Sequence, residues 1–226
     1  MYLPDTHTET SPGVYERIEQ GNSKSEEIQE SYRVRAEKIL KLDQRHYRKH
    51  APGIRQEIEA AGIPLSFCIA WAGGHPKMEA QVGFDSIQVV DAIAKDYQET
   101  DGIFQELYGP AKVEYCQTDI DASLVAEAQT LTEPFANTFA HFLEHLTADT
   151  TRELLGVIAE GGKPIIIYGP NIEKATDDKW IHFRPADHNT FFTAGAFVSL
   201  LEGLGYSYVK AKEIDEDYLI VASNYV

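Results

Sequence analysis

The chain has 226 residues, 43% of them hydrophobic, with 20 basic against 36 acidic side chains and a formal charge of −16. That length supports one large α/β domain with a full core, and the acidic balance argues against a general grip on nucleic acid or an anionic membrane, since either needs a cationic face. No stretch approaches the roughly 18 apolar residues of a membrane span, MYLPDTHTETSPG is not a signal peptide, and Cys68 and Cys116 sit in apolar runs as free thiols, so a soluble, cytoplasmic protein is expected.

Residues 1 to 22 are polar, contain Pro4, Pro12 and two glycines, and show no sustained period, which predicts an arm or a partly ordered lid. Ser23 and Glu26 form a capping-box signal. Ile28, Tyr32, Ala36, Ile39 and Leu40 then mark one face of a helix reaching about His50. Eight basic residues (Arg33, Arg35, Lys38, Lys41, Arg45, Arg48, Lys49 and Arg55) cluster here, either as a solvated face or as a patch for an anionic ligand. Pro52-Gly53 predicts a break, with a second short helix from Ile54 to Ala61. On this reading residues 1–62 are an N-terminal arm and helical lid, and 63–226 are the α/β domain.

Leu65 to Trp71 is the first strand of that domain, followed directly by Ala72-Gly73-Gly74-His75-Pro76. Glycines just past a strand allow close backbone approach to a ligand, although such a pair also makes an ordinary turn. Ile87 to Val90 is the next strand and ends in Asp91, about 17 residues beyond Gly74, near the interval at which nucleotide-binding folds place an acid on ribose hydroxyls. A helix from Ala92 to Leu107, a strand from Val113 to Cys116, the polar Thr118-Asp119-Ile120-Asp121 and a short helix from Ala122 to Gln129 follow.

Asn137 to Asn171 reads as strand, helix and strand. Thr147 or Asp149 caps the helix, Leu154, Leu155 and Ile158 recur at helical spacing, Gly161-Gly162 closes it, and Lys163 to Tyr168 is apolar enough for a buried parallel strand. Right-handed closure brings His141, Glu144, His145 and the end of the second strand to one rim. A polar loop with Trp180, His182, Asp187 and His188 leads to a helix capped near Thr193. Tyr208 to Ile214 and Tyr218 to Ser223 then form an antiparallel hairpin around Asp215-Glu216.

Seven strands ending in a hairpin make a Rossmann-like mixed sheet with helices on both faces. With FLEHL, GGKPIIIYGPN and FFTAGAFVSLLEGLGY in their places, the chain from Leu65 to Ser223 resembles the class I S-adenosylmethionine-dependent methyltransferases. In the first half the order of elements agrees, while the acidic residue and third glycine usual at the first strand's end are replaced by Ile69-Ala70-Trp71-Ala72-Gly73-Gly74. The resemblance implies S-adenosylmethionine as cofactor, with Ala72, Gly73 and Gly74 against it, Asp91 with Ala92 at its ribose, and Asp119 and Ile120 beside its adenine. His145, His141 or Glu144 is the candidate base for methyl transfer, and the basic helix from Ser23 to His50, placed before the first strand as a lid, suggests a small-molecule acceptor, with a protein acceptor as the alternative.

His141-Phe142-Leu143-Glu144-His145 also places two imidazoles around a carboxylate, which converge on a divalent cation when the segment is helical; His182, Asp187 and His188 on the later loop are candidates to complete the shell, with His188 as the fourth ligand. Methyltransferases related to RNA 3′-end and quinone enzymes carry a similar Glu-x-x-Glu-His cluster with a metal. The plainer alternative is a pair of histidines that cap and pack at the strand–helix junction. Two further alternatives are a methyltransferase-like scaffold that binds or regulates a partner subunit, or pairs with itself, and a zinc hydrolase using His-x-x-Glu-His.

Overall fold

The computed structural model describes residues 7–17, 26–72, 75–91, 101–109, 111–117, 125–126, 128, 135–177, 180, 182 and 188–226. Its elements are strands β1 (His7–Ser11) and β2 (Val14–Arg17), helix α1 (Glu26–Ala60), β3 (Phe67–Ala72), α2 (Lys77–Val82), β4 (Ser86–Asp91), α3 (Asp101–Tyr108) and β5 (Lys112–Gln117). There follow β6 (Ala136–Ala140), α4 (Ala148–Glu160), β7 (Ile165–Pro170), β8 (Thr190–Phe192), α5 (Ala194–Gly203), β9 (Tyr208–Ile214) and β10 (Asp217–Ser223).

Seven strands form one sheet in the order β5-β4-β3-β6-β7-β10-β9. β3 to β7 run parallel, and β10 is antiparallel to both β7 and β9. The sheet is the Rossmann-like arrangement expected from the sequence, closing hairpin included. β3 pairs with β4 on one side and β6 on the other, so the chain reverses its direction of travel across the sheet there, and a crevice opens at the strands' carboxyl ends.

One face of the sheet packs under α4 and α5 through Leu154, Leu155, Ile158, Phe197 and Leu201. The other packs under α1 and α2 through Ala51, Ile54, Ile58, Met78 and Val82. Burying a side chain of Leu or Ile size contributes about 1.5–3 kcal/mol each, which makes these two stripes the principal stabilisers. Thr147 caps α4 by accepting a hydrogen bond from the Thr150 amide at 3.2 Å, and Thr193 caps α5 through the Ala196 amide at 3.1 Å. The Asp215-Glu216 turn places Asp215 at φ 51°, the left-handed backbone a tight hairpin needs.

Two sequence expectations fail, one element was not foreseen and one condition is not met. The helix does not break at Pro52-Gly53: α1 is continuous, because Tyr47, Ala51, Ile54, Ile58 and Ala61 keep one buried stripe in register past the proline. That burial outweighs the one backbone hydrogen bond Pro52 forfeits. Residues 7–17 are a β-hairpin, not an irregular arm, and with β8 they form a second sheet, β1-β2-β8. The short helix α2, directly after Pro76, was not anticipated. His141 to His145 is not α-helical: His141 has φ 52°, and Leu143–His145 form a single 3-10 turn. The Ser23 cap and the first part of the helix expected from Ala92 lie outside the described residues.

Candidate active site

β6 and β7 end at the crevice rim, and β10, running the other way, begins there. The register sets Ala140 beside Tyr168 and Pro170 beside Asp217, so the residues after β6, at the end of β7 and at the start of β10 are neighbours. The His141 amide donates to the Tyr168 carbonyl at 2.8 Å, and the left-handed backbone at His141 turns the chain there. The imidazole stands between two carboxylates, Nδ1 3.4 Å from Glu144 Oε1 and Nε2 3.6 Å from Asp217 Oδ1. Both carboxylate side chains are 4% exposed and that of His141 is 29% exposed.

The loop after β7 is fastened onto this turn. The Asn189 amide donates to the Glu144 carbonyl at 2.7 Å, Asn189 Nδ2 to the His145 carbonyl at 2.9 Å, and Thr190 Oγ1 to the Leu146 carbonyl at 2.7 Å. These bonds bring His188 edge-on to His145, with ring centres 4.8 Å apart, and stack His182 on His141 at 5.4 Å. His182 Nε2 lies 3.3 Å from Asp217 Oδ1. α1 contributes His46, whose Nε2 is hydrogen-bonded to the Tyr168 hydroxyl at 2.6 Å and lies 3.5 Å from Asp217 Oδ2.

Burial works against ionisation of Glu144 and Asp217, but the surrounding imidazoles outweigh it and hold both below the usual carboxylate range. Burial likewise disfavours a charged His141. Asp217 and Glu144 more than compensate, so its pKa is raised. The Tyr168 hydroxyl is pushed far up by burial and by Asp217, and stays neutral. A small cavity lies at the cluster, lined among others by Phe139, Leu143, Glu144, Gly169 and Tyr218.

The structure thus gathers His141, Glu144, His145 and His188, all expected from the sequence, but divides them. Glu144, His145 and His188 form one group of donor atoms within 4.8 Å of one another, and His141, His182 and Asp217 form another. Asp217 and His46 were missed, whereas Tyr168 ends the strand expected at this rim. Asp217 resembles one more acid of a hairpin turn, and His46 one more polar residue on a basic helix; the one available signal was that Asp217 begins a strand that closes on the rim. A zinc-peptidase reading of His-x-x-Glu-His requires both histidines on one α-helix, and this segment is not one.

Across the rim, Asp91 is at the end of β4 and 3% exposed. Ala72 ends β3, paired with Ala140. Trp71 does not enter the crevice: it is fully buried, donates from Nε1 to Asn137 Oδ1 at 2.9 Å and stacks on Phe139. Gly73, Gly74, Ala92, Asp119, Ile120 and Asp187 lie outside the described residues. No described helix is long and apolar enough to cross a membrane.

No protein-family model matches the chain, and no curated protein matches it in sequence. Solved structures do. Human N-acetylserotonin methyltransferase in complex with SAM aligns with TM-score 0.58 at 12% identity, over 86% of this chain and 57% of that one. A SAM-dependent methyltransferase from Archaeoglobus fulgidus aligns with TM-score 0.56 at 16% identity, over 81% and 93%. Burkholderia thailandensis 1,6-didemethyltoxoflavin-N1-methyltransferase, with bound 1,6-didemethyltoxoflavin and S-adenosylhomocysteine, aligns with TM-score 0.54 at 12% identity, over 96% and 97%. What is shared at these identities is the fold, that of class I SAM-dependent methyltransferases, and this chain spans only 57% of the human enzyme.

Proposed function

We propose that the chain transfers a methyl group from S-adenosylmethionine to a small-molecule acceptor. The observation that carries the reading is the shared rim: Asp91 closes β4 there, and His141, Glu144 and His145 follow β6 two strands away. Asp91 with Ala92 would hold the cofactor's ribose, Ala72, Gly73 and Gly74 would lie along it, and Asp119 and Ile120 would flank the adenine. The acceptor would then lie over β6 and β7, beneath the part of α1 that carries His46.

Transfer demands alignment and, for an oxygen or nitrogen acceptor, removal of a proton. The acceptor's lone pair attacks the methyl carbon, the carbon–sulfur bond breaks with its electrons remaining on sulfur, and S-adenosylhomocysteine leaves. His145 takes the acceptor's proton, with Glu144 and His188 beside it to hold the imidazole. Water is excluded by the packed aromatic floor of Phe139 and Tyr218. α1, whose His46 meets Tyr168 at the rim, is the lid.

A second reading has Glu144, His145 and His188 hold a divalent cation, and one observation favours it. Among the described residues, the buried Glu144 Oε1 finds no hydrogen-bond donor, as a carboxylate oxygen kept for a cation would. When bound, such an ion lowers the pKa of an acceptor hydroxyl.

Calorimetry with S-adenosylhomocysteine tests the main proposal. Saturable binding is expected, together with S-adenosylhomocysteine release from SAM when a panel of hydroxyl and amine acceptors is supplied. No heat and no thermal shift at millimolar ligand would leave the scaffold reading, a fold kept to bind a partner subunit or a second copy.

A further inference from the structure

We infer that His141, His182 and Asp217 form a site for a divalent transition-metal cation, distinct from the Glu144, His145 and His188 group and closed over by His46 of α1. The donor atoms are two imidazole nitrogens and one carboxylate oxygen, all within 4.8 Å of one another. His141 Nε2 and His182 Nε2 stand 3.6 and 3.3 Å from Asp217 Oδ1. Charge-assisted hydrogen bonds between such groups close to about 2.7–2.9 Å, whereas donors on a tetrahedron with metal bonds of about 2.1 Å stand about 3.4 Å apart. The observed spacing has the second length. Among the described residues, Asp217 Oδ1, on a side chain only 4% exposed, accepts no hydrogen bond, an arrangement that is costly unless something occupies the space in front of it.

The surroundings fit a cation as well. His141 turns its other nitrogen, Nδ1, toward Glu144, 3.4 Å from Oε1. His46 brings a third imidazole nitrogen to 3.5 Å from Asp217 Oδ2, and its hydrogen bond to the Tyr168 hydroxyl fixes that ring. The His182 side chain is 11% exposed, while those of His141 and His46 are 29% and 37% exposed, so the site is walled on the sheet side and open to solvent under α1. That opening gives an entry path and leaves coordination positions for water or for an oxygen ligand. Two imidazoles and one carboxylate favour zinc, iron or manganese over magnesium or calcium. The competing account is that protonated imidazoles simply neutralise Asp217, with no ion bound.

The site is assigned from donor geometry and does not require methyl transfer. The chain is stripped with a chelator, reloaded with excess Zn2+ and desalted, and bound zinc is counted by elemental analysis; Co2+ loading with visible spectroscopy reports the coordination. Asp217→Asn and His182→Ala should each bind one zinc fewer per chain than wild type, and His188→Ala should keep that equivalent. His46→Ala should weaken it about tenfold without lowering the saturating count. Circular dichroism identifies folded variants, and the half-exposed His141, as His141→Gln, replaces any variant that fails to fold. The assignment is overturned by a wild type that binds no zinc, by Asp217→Asn and His182→Ala binding as much as wild type, or by His188→Ala abolishing the same Co2+ band that Asp217→Asn abolishes. S-adenosylhomocysteine binding on the same samples is a separate readout: its absence with zinc retained removes the methyltransferase reading and leaves the site standing.

Discussion

The two halves of the crevice rim are built by different means. At β3 and β4 the described residues of the rim offer backbone ends and one acid, Asp91, above a floor of buried apolar side chains headed by Trp71. At β6, β7 and β10 it offers two carboxylates and five imidazoles drawn from α1, from the turn after β6, from the loop after β7 and from β10. The titration directions divide in the same way. Beside the first half, His75 is driven down to about 4 by burial and then by Lys77; in the second, His141 is driven up by its carboxylates. On the proposed function the first half would receive the cofactor and the second would move protons or hold ions.

If the first half is chiefly packing, removing its largest side chain should cost the fold. Trp71→Ala is expected to lower unfolding free energy by about 3–5 kcal/mol, because it opens a cavity under β3 and leaves Asn137 Oδ1 without its donor. Trp71→Phe keeps the stack on Phe139 and should lose only about 1–2 kcal/mol. Denaturant unfolding measures both. Equal small losses would mean that Trp71 is held for a ligand and not for the core.

The pH dependence of stability sharpens the contrast. His75 stacks on Phe104, and its Nδ1 is hydrogen-bonded to the Tyr115 hydroxyl at 2.9 Å; that hydroxyl in turn donates to Asp101 at 2.9 Å. The bonds fix the neutral ring with its proton on Nδ1. Since folding lowers this pKa from 6.5 to about 4, the unfolded chain binds more protons throughout that interval, and stability falls as pH falls from 6.5 to 4. The loss from this one residue approaches about 3 kcal/mol. His75→Phe should flatten the slope of unfolding free energy over that window; an unchanged slope would place the acid sensitivity elsewhere.

The acid at the end of β4 is tested by Asp91→Asn. Loss of the charge should weaken S-adenosylhomocysteine binding at least tenfold, about 1.4 kcal/mol or more, and leave zinc content unchanged, while Asp217→Asn does the reverse. Calorimetry and elemental analysis on the same samples measure the pair. If either substitution moved both quantities, the two halves would be one coupled site.

Local patterns made the sheet legible in the sequence, because each was complete within a few residues. The alternation and acidic turn of Tyr208 to Ser223, the Thr147 and Thr193 caps and the apolar run ending at Tyr168 all signal themselves. Elements whose reason for existing lies far along the chain did not. β2 is a strand because Val14 and Tyr15 meet Phe192 and Phe191, and four residues of strand carry no period of their own. Pro52 looked like a helix end because the buried stripe that continues past it is visible only once the sheet is in place. At the site, the histidines were legible as residue types, but the grouping was not. Asp217 joins His141 and His182 only through antiparallel pairing of β10 with β7, and the helical condition for a metal held by His141 to His145 alone is not met, since the chain makes a left-handed turn at His141.

The smallest effects test whether the N-terminal hairpin supports the second half at all. The first turn of α4, directly after the His141–His145 turn, leaves amide groups that need acceptors. Thr147 Oγ1 accepts from the Thr150 amide at 3.2 Å, and Glu16 of β2 reaches across to accept from the Ala148 amide at 3.0 Å, placing a carboxylate at the positive end of the helix dipole. Thr147→Ala should cost about 1 kcal/mol and Glu16→Gln about 0.5 kcal/mol, read from denaturant midpoints. The two side chains serve different amides, so the double variant should lose the sum within about 0.5 kcal/mol. A loss well above the sum would mean that one cap substitutes for the other when only one is removed. A loss well below it would mean that β1 and β2 hold the α4 start, and with it the Glu144 turn, as a single cooperative unit.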